Sequence, residues 1–190
     1  YTLLSVLALV MCGAAYQPTE KPLSSSLRSE QLAGLDSLVE TAIKEGKTPG
    51  AVVLIGNREE IIYSRAFGFR SLEPEKVAMS EDTIFDLASL TKVIATSTAI
   101  MQLAEKGSLN IDAPVARYWP AFGKNGKKRI TVRQLLTHYS GLRADLSLKP
   151  GWSGYEAAMR KISAEKPLCS PGSGFIYSDI NFDVLGEIVR

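Results

Sequence analysis

The chain has 190 residues, of which 45% are hydrophobic and 22% charged, a composition that is ordinary for a single globular domain. Its formal net charge of +2 gives no electrostatic footprint for nucleic acid or for an anionic membrane surface. A zinc site built from cysteine and histidine is excluded in practice, because His138 is the only histidine. We therefore expect no metal, no other cofactor and no nucleic-acid partner.

The N-terminal residues resemble the end of a secretory signal peptide. An apolar run over residues 3–10 is followed by small residues at 13–15, and this run is too short to span a membrane as written. Polar residues with prolines come next. These patterns predict a truncated signal peptide over residues 1–15, a linker over 16–28, and a periplasmic or secreted bacterial protein without a membrane span.

The two cysteines give little support for a lipid anchor or a disulfide. Cys12 could accept a lipid, but Met11 before it is an unusual residue for a lipoprotein signal. Removal of the leader leaves Cys169 as the only thiol, so we expect no internal disulfide and a stability that depends on the core.

The first predicted elements are a helix and a hairpin. Ser29 opens an amphipathic helix that Gly46 closes, and the apolar face of this helix consists of Leu32, Leu35, Leu38, Val39 and Ile43. Residues 51–56 and 61–68 are rich in β-branched and aromatic side chains and are separated by the polar residues 57–60 (NREE). Two such runs around a short polar segment predict an antiparallel β-hairpin.

An apolar helix with one charged residue in its interior is the next predicted element. Residues 89–106 contain no proline or glycine, and Gly107 is placed to end the helix. Apolar residues cover nearly all of its circumference, which is typical of a helix enclosed by the rest of its domain. Lys92, the interior charge, is therefore predicted to be buried or nearly so.

Ser89 and Lys92 lie three residues apart, so a helix places their side chains on one face within reach of each other. A buried lysine pairs with another group or loses its proton, and a serine hydroxyl needs such a neighbour to become a nucleophile. The spacing alone proves little, because Ser163 and Lys166 repeat it among charges, where we interpret it as solvated surface. A helix start whose lysine reaches the surface stays an alternative for Ser89 and Lys92.

The C-terminal half is predicted to contain loops and two helices. Residues 108–122 have two prolines and little periodicity, which indicates an ordered loop, and the basic run at 124–129 indicates a solvated loop. Thr131 and Gln134 have capping-box spacing and predict a short helix that ends near Gly141. A last helix begins near Ser178 and is still periodic at residue 190, a pattern that predicts a chain cut at both ends.

Tyr177 stands immediately before that last helix, and Asp179 follows two residues later. Taken alone, this is typical of a tyrosine that packs on the first helical turn with Ser178 as the cap. Together with Ser89 and Lys92, it resembles the penicillin-recognising serine hydrolases, in the branch of class C β-lactamases, D-Ala-D-Ala carboxypeptidases and family VIII-type esterases. The resemblance extends in order through TPGAVVLIG, FDLASLTKV, QLAEKGSLNIDAPV, ITVRQLLTHYSGL and PGSGFIYSDINFDVLGEIV.

This resemblance implies an α+β fold, with an antiparallel sheet flanked by helices plus an all-α part. Residues 29–190 would form the N-terminal part of that domain, with its C-terminal strands missing. It also implies that Ser89 is the acylated nucleophile, Lys92 its proton partner and Tyr177 the general base. A lysine charge favours the ionised form of a neighbouring phenol and burial favours a neutral lysine, so the pair is predicted to titrate as a coupled unit.

Two features depart from the family pattern. Asp179 stands at a substrate-binding position where this branch usually has an asparagine, so contacts to a substrate carbonyl are expected to be lost or replaced. This departure favours a peptidase or esterase over a β-lactamase. The family's third motif, on a later strand, is absent from the sequence. Because no Gly-x-Ser-x-Gly elbow exists for a Ser-His-Asp triad, His138 is interpreted as a structural hydrogen-bonding residue.

These observations predict an exported serine hydrolase that forms an acyl-enzyme with an amide or ester, such as a peptidoglycan D-Ala peptide, a small ester or a β-lactam. The alternative is a non-catalytic penicillin- or peptidoglycan-binding or sensor module with the same fold, which turnover of a substrate would exclude. The 190 residues by themselves are expected to be inactive, since one missing strand would carry an oxyanion donor.

Overall fold

A computed structural model describes residues 25–190. The predicted signal peptide, Cys12 and the first part of the predicted linker therefore lie outside the described residues. The chain divides into two compact units, and the boundary between them lies between Phe85 and Asp86.

The first unit combines one helix with a three-stranded antiparallel sheet. Its elements are helix α1 (Ser25–Lys44) and strands β1 (Gly50–Gly56), β2 (Ile61–Ser71) and β3 (Val77–Ala78), in the sheet order β1-β2-β3. The predicted hairpin is confirmed. Asn57 closes its turn, because Oδ1 accepts hydrogen bonds from the backbone N–H groups of Glu59 (2.8 Å) and Glu60 (2.9 Å). Strand β3 has no counterpart among the predictions, because it is only two residues long and stands among polar residues.

Helix α1 is tied to the sheet through Asp36. This carboxylate accepts a hydrogen bond from Tyr63 and forms an ion pair with Arg65, and both partners lie on β2. The helix begins at Ser25 rather than at the predicted Ser29, so the end of the predicted linker is helical.

The second unit is helical and has a continuous hydrophobic core. Its elements are a π-helical segment (Lys92–Ser97), α2 (Thr98–Glu105), two 3₁₀ turns (Val115–Arg117 and Pro120–Gly123), α3 (Val132–Leu136), α4 (Tyr155–Ala164) and α5 (Asp179–Val189). The largest fully buried apolar side chains include Phe122, Ile100, Ile130, Leu135, Leu142, Ile162, Ile180 and Leu185. Burying each such side chain stabilises the fold by about 1.5–3 kcal/mol, and the core thereby fixes α5, which follows Tyr177.

The helix predicted over residues 89–106 differs from the prediction in two respects. Its first part is π-helical, and regular α geometry begins only at Thr98. Of its side chains only Ile100 is fully buried, whereas Val93 and Ile94 are 59% and 55% exposed. The prediction of an enclosed helix is therefore wrong for the described residues. An apolar circumference indicates that a helix can be covered on all sides, but it does not identify the residues that cover it.

The capping box of α3 is confirmed. The Thr131 hydroxyl accepts from the backbone N–H of Gln134 (3.2 Å), and the Gln134 side chain accepts from the N–H of Thr131 (3.0 Å). The helix ends at Leu136, earlier than the predicted Gly141. The predicted loop over 108–122 holds the 3₁₀ turns, and α4 has no counterpart among the predictions.

The prediction of a solvated basic loop at 124–129 is wrong for Lys127. Its side chain is fully buried, and Nζ donates to the carbonyl oxygens of Ser163 (2.9 Å) and Glu165 at the C-terminal end of α4. Carbonyl groups at a helix C-terminus lack intrahelical partners and carry partial negative charge, so an ammonium group satisfies them. Burial lowers the pKa of Lys127, and the charge of Glu165 opposes this effect.

Candidate active site

Local hydrogen bonds hold the turn that carries Ser89. Asp86 Oδ1 accepts from the backbone N–H of Ala88 (2.8 Å), and the N–H of Lys92 donates to the carbonyl of Ser89 (3.1 Å), which starts the helix. Ala88 has a φ of +43°, a left-handed conformation that costs a residue with a Cβ on the order of 1 kcal/mol. Ser89 itself is exposed, so this turn presents a serine hydroxyl to solvent at the start of a helix.

Lys92 lies between Ser89 and Asp179. Its Nζ donates to Ser89 Oγ at 3.3 Å and lies 2.5 Å from Asp179 Oδ1. The lysine side chain is 15% exposed and the aspartate side chain 49% exposed. Lys92 is thus nearly buried, as predicted, and an ion pair that the sequence analysis missed compensates for its burial. The available signal was an acidic residue in the first turn of the helix that follows Tyr177.

The ion pair raises the pKa of Lys92 above its ordinary value of 10.5. The hydrogen bond to Asp179 is the largest cause, burial opposes it, and Tyr177 raises the pKa further. Lys92 is therefore an ammonium at neutral pH, although burial favours the neutral form as predicted. The reason is that a carboxylate at contact distance outweighs the cost of partial burial.

Tyr177 joins this cluster from the residue before the N-cap of α5. Lys92 Nζ lies 5.2 Å from the centroid of the Tyr177 ring, and the tyrosine is 46% exposed. The same ring stacks on the imidazole of His138, with centroids 4.5 Å apart and an interplanar angle of 28°. The structure therefore brings together Ser89, Lys92 and Tyr177, the three residues that were predicted as catalytic.

The start of α5 is fixed by contacts to an adjacent backbone segment. Ser178 Oγ donates to the carbonyl of Arg143 (2.6 Å), and the N–H of Asp179 donates to the carbonyl of Ala144 (2.7 Å). Ser178 occupies the N-cap position, but its side chain makes no capping hydrogen bond. The alternative in which Ser178 serves as a side-chain cap is therefore wrong, because its hydroxyl is engaged by the neighbouring segment.

His138 is a buried, hydrogen-bonded residue, as predicted. Its Nδ1 accepts from the backbone N–H of Ser178 at 3.0 Å, and Asn181 Nδ2 lies 3.4 Å from the same nitrogen. The Asn181 side chain in turn accepts from Ser140 Oγ at 2.6 Å. Burial and then the charge of Lys92 lower the pKa of His138 from 6.5, against the opposing charge of the aspartate paired with that lysine. The imidazole is therefore neutral at neutral pH.

Other features that the sequence raised lie away from this cluster or do not form a site. Lys166 is exposed, in agreement with its interpretation as surface, whereas Ser163 is half-buried. Within residues 25–190, no group of three or more His, Cys, Asp or Glu side chains could hold a metal ion. The helices of this part of the chain are all too short or too polar to cross a membrane. Contact of Asp179 with a substrate stays a prediction, and its observed partner is Lys92.

The chain matches a protein-family model, a curated relative and solved structures. The family model described as Beta-lactamase matches residues 35–190. The chain is 34% identical to Esterase EstB of Burkholderia gladioli, over 95% of this chain and 49% of that protein. It is similar to the structure of EstCE1, a hydrolase with promiscuous acyltransferase activity, with 30% identity, a TM-score of 0.70, and coverage of 86% of this chain and 46% of the other. A class C beta-lactamase in complex with cefoxitin gives 25% identity, a TM-score of 0.71, and coverage of 85% and 44%.

The chain thus spans about half the length of the relatives that it matches. Over that length it shares their α+β architecture, in agreement with the predicted fold class. The family match covers most of the chain and includes both the Ser89 turn and the start of α5. The chain therefore belongs to the beta-lactamase family.

Proposed function

We propose that the protein is a serine hydrolase that forms an acyl-enzyme at Ser89 with an ester or amide substrate. The observation that carries this proposal is the contact of Ser89 Oγ with Lys92 Nζ at 3.3 Å, in an exposed turn beside the Tyr177 ring. An exposed serine with a positive charge at its hydroxyl and a phenol nearby has the groups that nucleophilic catalysis requires.

The raised pKa of Lys92 decides how the proton moves in this proposal. Because Lys92 already carries its proton at neutral pH, the oxygen of Tyr177 is the group that accepts the proton of Ser89. The Ser89 oxygen then bonds to the substrate carbonyl carbon, the bond to the leaving group breaks, and Tyr177 returns the proton to the departing alcohol or amine. The ammonium of Lys92 stabilises the negative charge that develops during the attack.

The second half of the cycle releases the acyl group. Water attacks the acyl carbon and gives its proton to Tyr177, the bond between Ser89 and the acyl carbon breaks, and the proton returns to Ser89. The products are a carboxylic acid and the free serine. Each step uses the same three side chains, so loss of any one should impair both acylation and deacylation.

Small esters are the substrate class that we favour within this proposal. The matched relatives include a protein named as an esterase, and a class C beta-lactamase whose structure contains cefoxitin. Asp179 adds a half-exposed carboxylate against Lys92, the residue that contacts Ser89, and this charge disfavours substrates that carry their own carboxylate near the reacting bond. Peptidoglycan D-Ala peptides and most β-lactams carry such a group, so they should react more slowly than neutral esters.

Export is also part of the proposal and rests on the leader-like pattern of residues 1–15. Cell fractionation after expression of the complete gene tests it. Recovery of the protein with the periplasm or the medium is expected, and retention in the cytoplasm would contradict it.

Turnover measurements test the enzymatic proposal. The protein expressed from its complete gene is incubated with p-nitrophenyl acetate and, separately, with a fluorescent penicillin. Ester turnover that disappears in Ser89→Ala and persists in Ser163→Ala is expected, because Ser163 belongs to the second Ser-x-x-Lys pair, at the end of α4. Stable labelling by penicillin without turnover of any substrate would favour the binding or sensor alternative instead.

A further inference from the structure

His138 holds three consecutive residues around Tyr177. Its backbone carbonyl accepts from the N–H of Ile176 at 2.9 Å, and its Nδ1 accepts from the N–H of Ser178 at 3.0 Å. Its ring stacks on the side chain of Tyr177, the residue between these two, with the ring centroids 4.5 Å apart. One residue thus fixes both the backbone and the ring orientation of the tyrosine.

The conformation of His138 is specialised for this arrangement. Its φ is +61°, in the left-handed region that a residue with a Cβ rarely adopts. The residue is buried, and its hydrogen-bonded network continues through Asn181 to Ser140, whose hydroxyl also accepts from the backbone N–H of Leu142 at 3.1 Å. The imidazole is therefore held from one side while its ring face supports Tyr177.

The backbone contact determines the protonation state that this support requires. A backbone N–H can only donate, so Nδ1 facing the N–H of Ser178 must be the unprotonated nitrogen of the imidazole. Protonation of His138 would oppose two N–H donors at 3.0 Å and break the contact. The charge of Lys92 also disfavours a second positive charge on His138.

We propose that neutral His138 is a positioning residue that acts through Tyr177, and that its protonation switches the site off in acid by releasing the tyrosine. This inference rests on the proposed function of Tyr177 in acyl transfer. It extends that function to a residue that touches neither Ser89 nor the bond being broken. The half-exposed Tyr177 ring depends on this stack, because solvent covers much of its remaining surface.

The charges around the imidazole set the direction of the pH effect. Burial and the charge of Lys92 lower the pKa of His138, while Asp179 opposes them. Because the pKa in the folded state is lowered, the unfolded chain binds more protons as the pH falls below 6.5, so neutral His138 supports the fold above that value. Activity should therefore decline in acid with a midpoint below the ordinary histidine value.

The variant His138→Asn removes the ring that stacks on Tyr177 and keeps an acceptor for the hydrogen bond from Ser178. Asparagine tolerates a positive φ, and its Oδ1 can accept from the N–H of Ser178, but it has no ring to stack on Tyr177. In the protein expressed from its complete gene, ester turnover should fall by roughly 10- to 100-fold, with a change in KM of less than about twofold. The neighbouring control Tyr139→Leu should retain turnover within about twofold of the original protein.

Combining His138→Asn with Tyr177→Phe distinguishes a positioning role of His138 from a general loss of structure. In Tyr177→Phe, adding His138→Asn should lower the residual turnover by less than about twofold, because the residue through which His138 acts is already disabled. The midpoint of the acid limb of the pH profile should also shift in His138→Asn, because the imidazole that titrates has been removed. The inference would be overturned if His138→Asn lowered turnover by the same factor in the original protein and in Tyr177→Phe. It would also be overturned if the acid limb had the same midpoint in the original protein and in His138→Asn.

A measurement without substitution covers the case in which His138→Asn does not fold. NMR titration of the His138 imidazole should give the same midpoint as the acid limb of ester turnover in the unaltered protein. Midpoints that differ by a unit or more would overturn the inference. Absence of Ser89-dependent turnover in the unaltered protein would instead count against the proposed function itself.

Discussion

Removing the carboxylate of Asp179 tests the ion pair of the candidate site. In Asp179→Asn the side chain keeps its size and a hydrogen-bond acceptor but loses the charge that is the largest cause of the raised pKa of Lys92. An exposed ion pair contributes about 0.2–1 kcal/mol after solvent screening. The 2.5 Å contact and the 15% exposure of the lysine side chain place this pair at the upper end of that range. The free energy of unfolding should therefore fall by about 1 kcal/mol at neutral pH.

The same substitution should change the pH dependence of the protein. Because the folded-state pKa of Lys92 is raised, the stabilisation is fully present below the ordinary value of 10.5 and is lost as the pH rises through the folded-state pKa. The pKa of Lys92 should fall in Asp179→Asn, so the alkaline limb of ester turnover should move to lower pH. Urea unfolding at neutral and strongly alkaline pH, together with a pH–turnover profile, measures both effects.

A matched control comes from the same helix. Glu187 on α5 interacts with Tyr155 (2.6 Å) and Arg190 (3.8 Å), and Glu187→Gln makes the same change of charge. The alkaline limb should stay in place in this control. A limb that does not move in Asp179→Asn, or that moves equally in Glu187→Gln, would refute the argument that contact with Asp179 sets the pKa of Lys92.

Two further sets of substitutions test the fold and the coupling within the site. Lys127→Met should lower the free energy of unfolding by about 1–3 kcal/mol, because carbonyl groups at the end of α4 lose a charged donor. Lys128 is exposed, so the control Lys128→Met should change the free energy of unfolding by less than about 0.5 kcal/mol. Equal effects in urea denaturation would show that the buried ammonium does not hold α4. Lys92→Ala and Tyr177→Phe should each lower ester turnover by roughly 100-fold or more, and the double variant should be little worse than either, since the two act as one unit. Steady-state turnover that falls multiplicatively would show that they act independently.

Local interactions explain which parts of the fold the sequence predicts. The β1–β2 hairpin depends on a turn that Asn57 closes within three residues, and the start of α3 depends on reciprocal bonds between Thr131 and Gln134. Ser89 and Lys92 are likewise one turn apart, so their contact follows from helix geometry. In each case the partners are close in the chain, and the residue types determine the geometry.

The features that the sequence did not predict depend on partners far along the chain. Lys127 belongs to a basic run that is typical of a solvated loop. Its side chain is nevertheless buried, and its hydrogen-bond acceptor Ser163 is 36 residues away in the chain. Asp179 reaches Lys92 because the core fixes α5 beside the π-helical segment, and that contact outweighs the effect of burial on the lysine pKa. Neither contact leaves a signal in local periodicity. Tyr177 was identified through its family resemblance rather than through its spacing.

Covalent labelling of Ser89 tests the proposed acyl transfer most directly. The protein expressed from its complete gene is treated with a fluorophosphonate, digested, and analysed by peptide mass spectrometry. The adduct should lie on Ser89, should be absent in Ser89→Ala, and should persist in Ser163→Ala, because the hydroxyl of Ser89 contacts an ammonium group in an exposed turn beside Tyr177. An adduct on a different serine, or labelling that persists unchanged in Ser89→Ala, would contradict the assignment of Ser89 as the nucleophile.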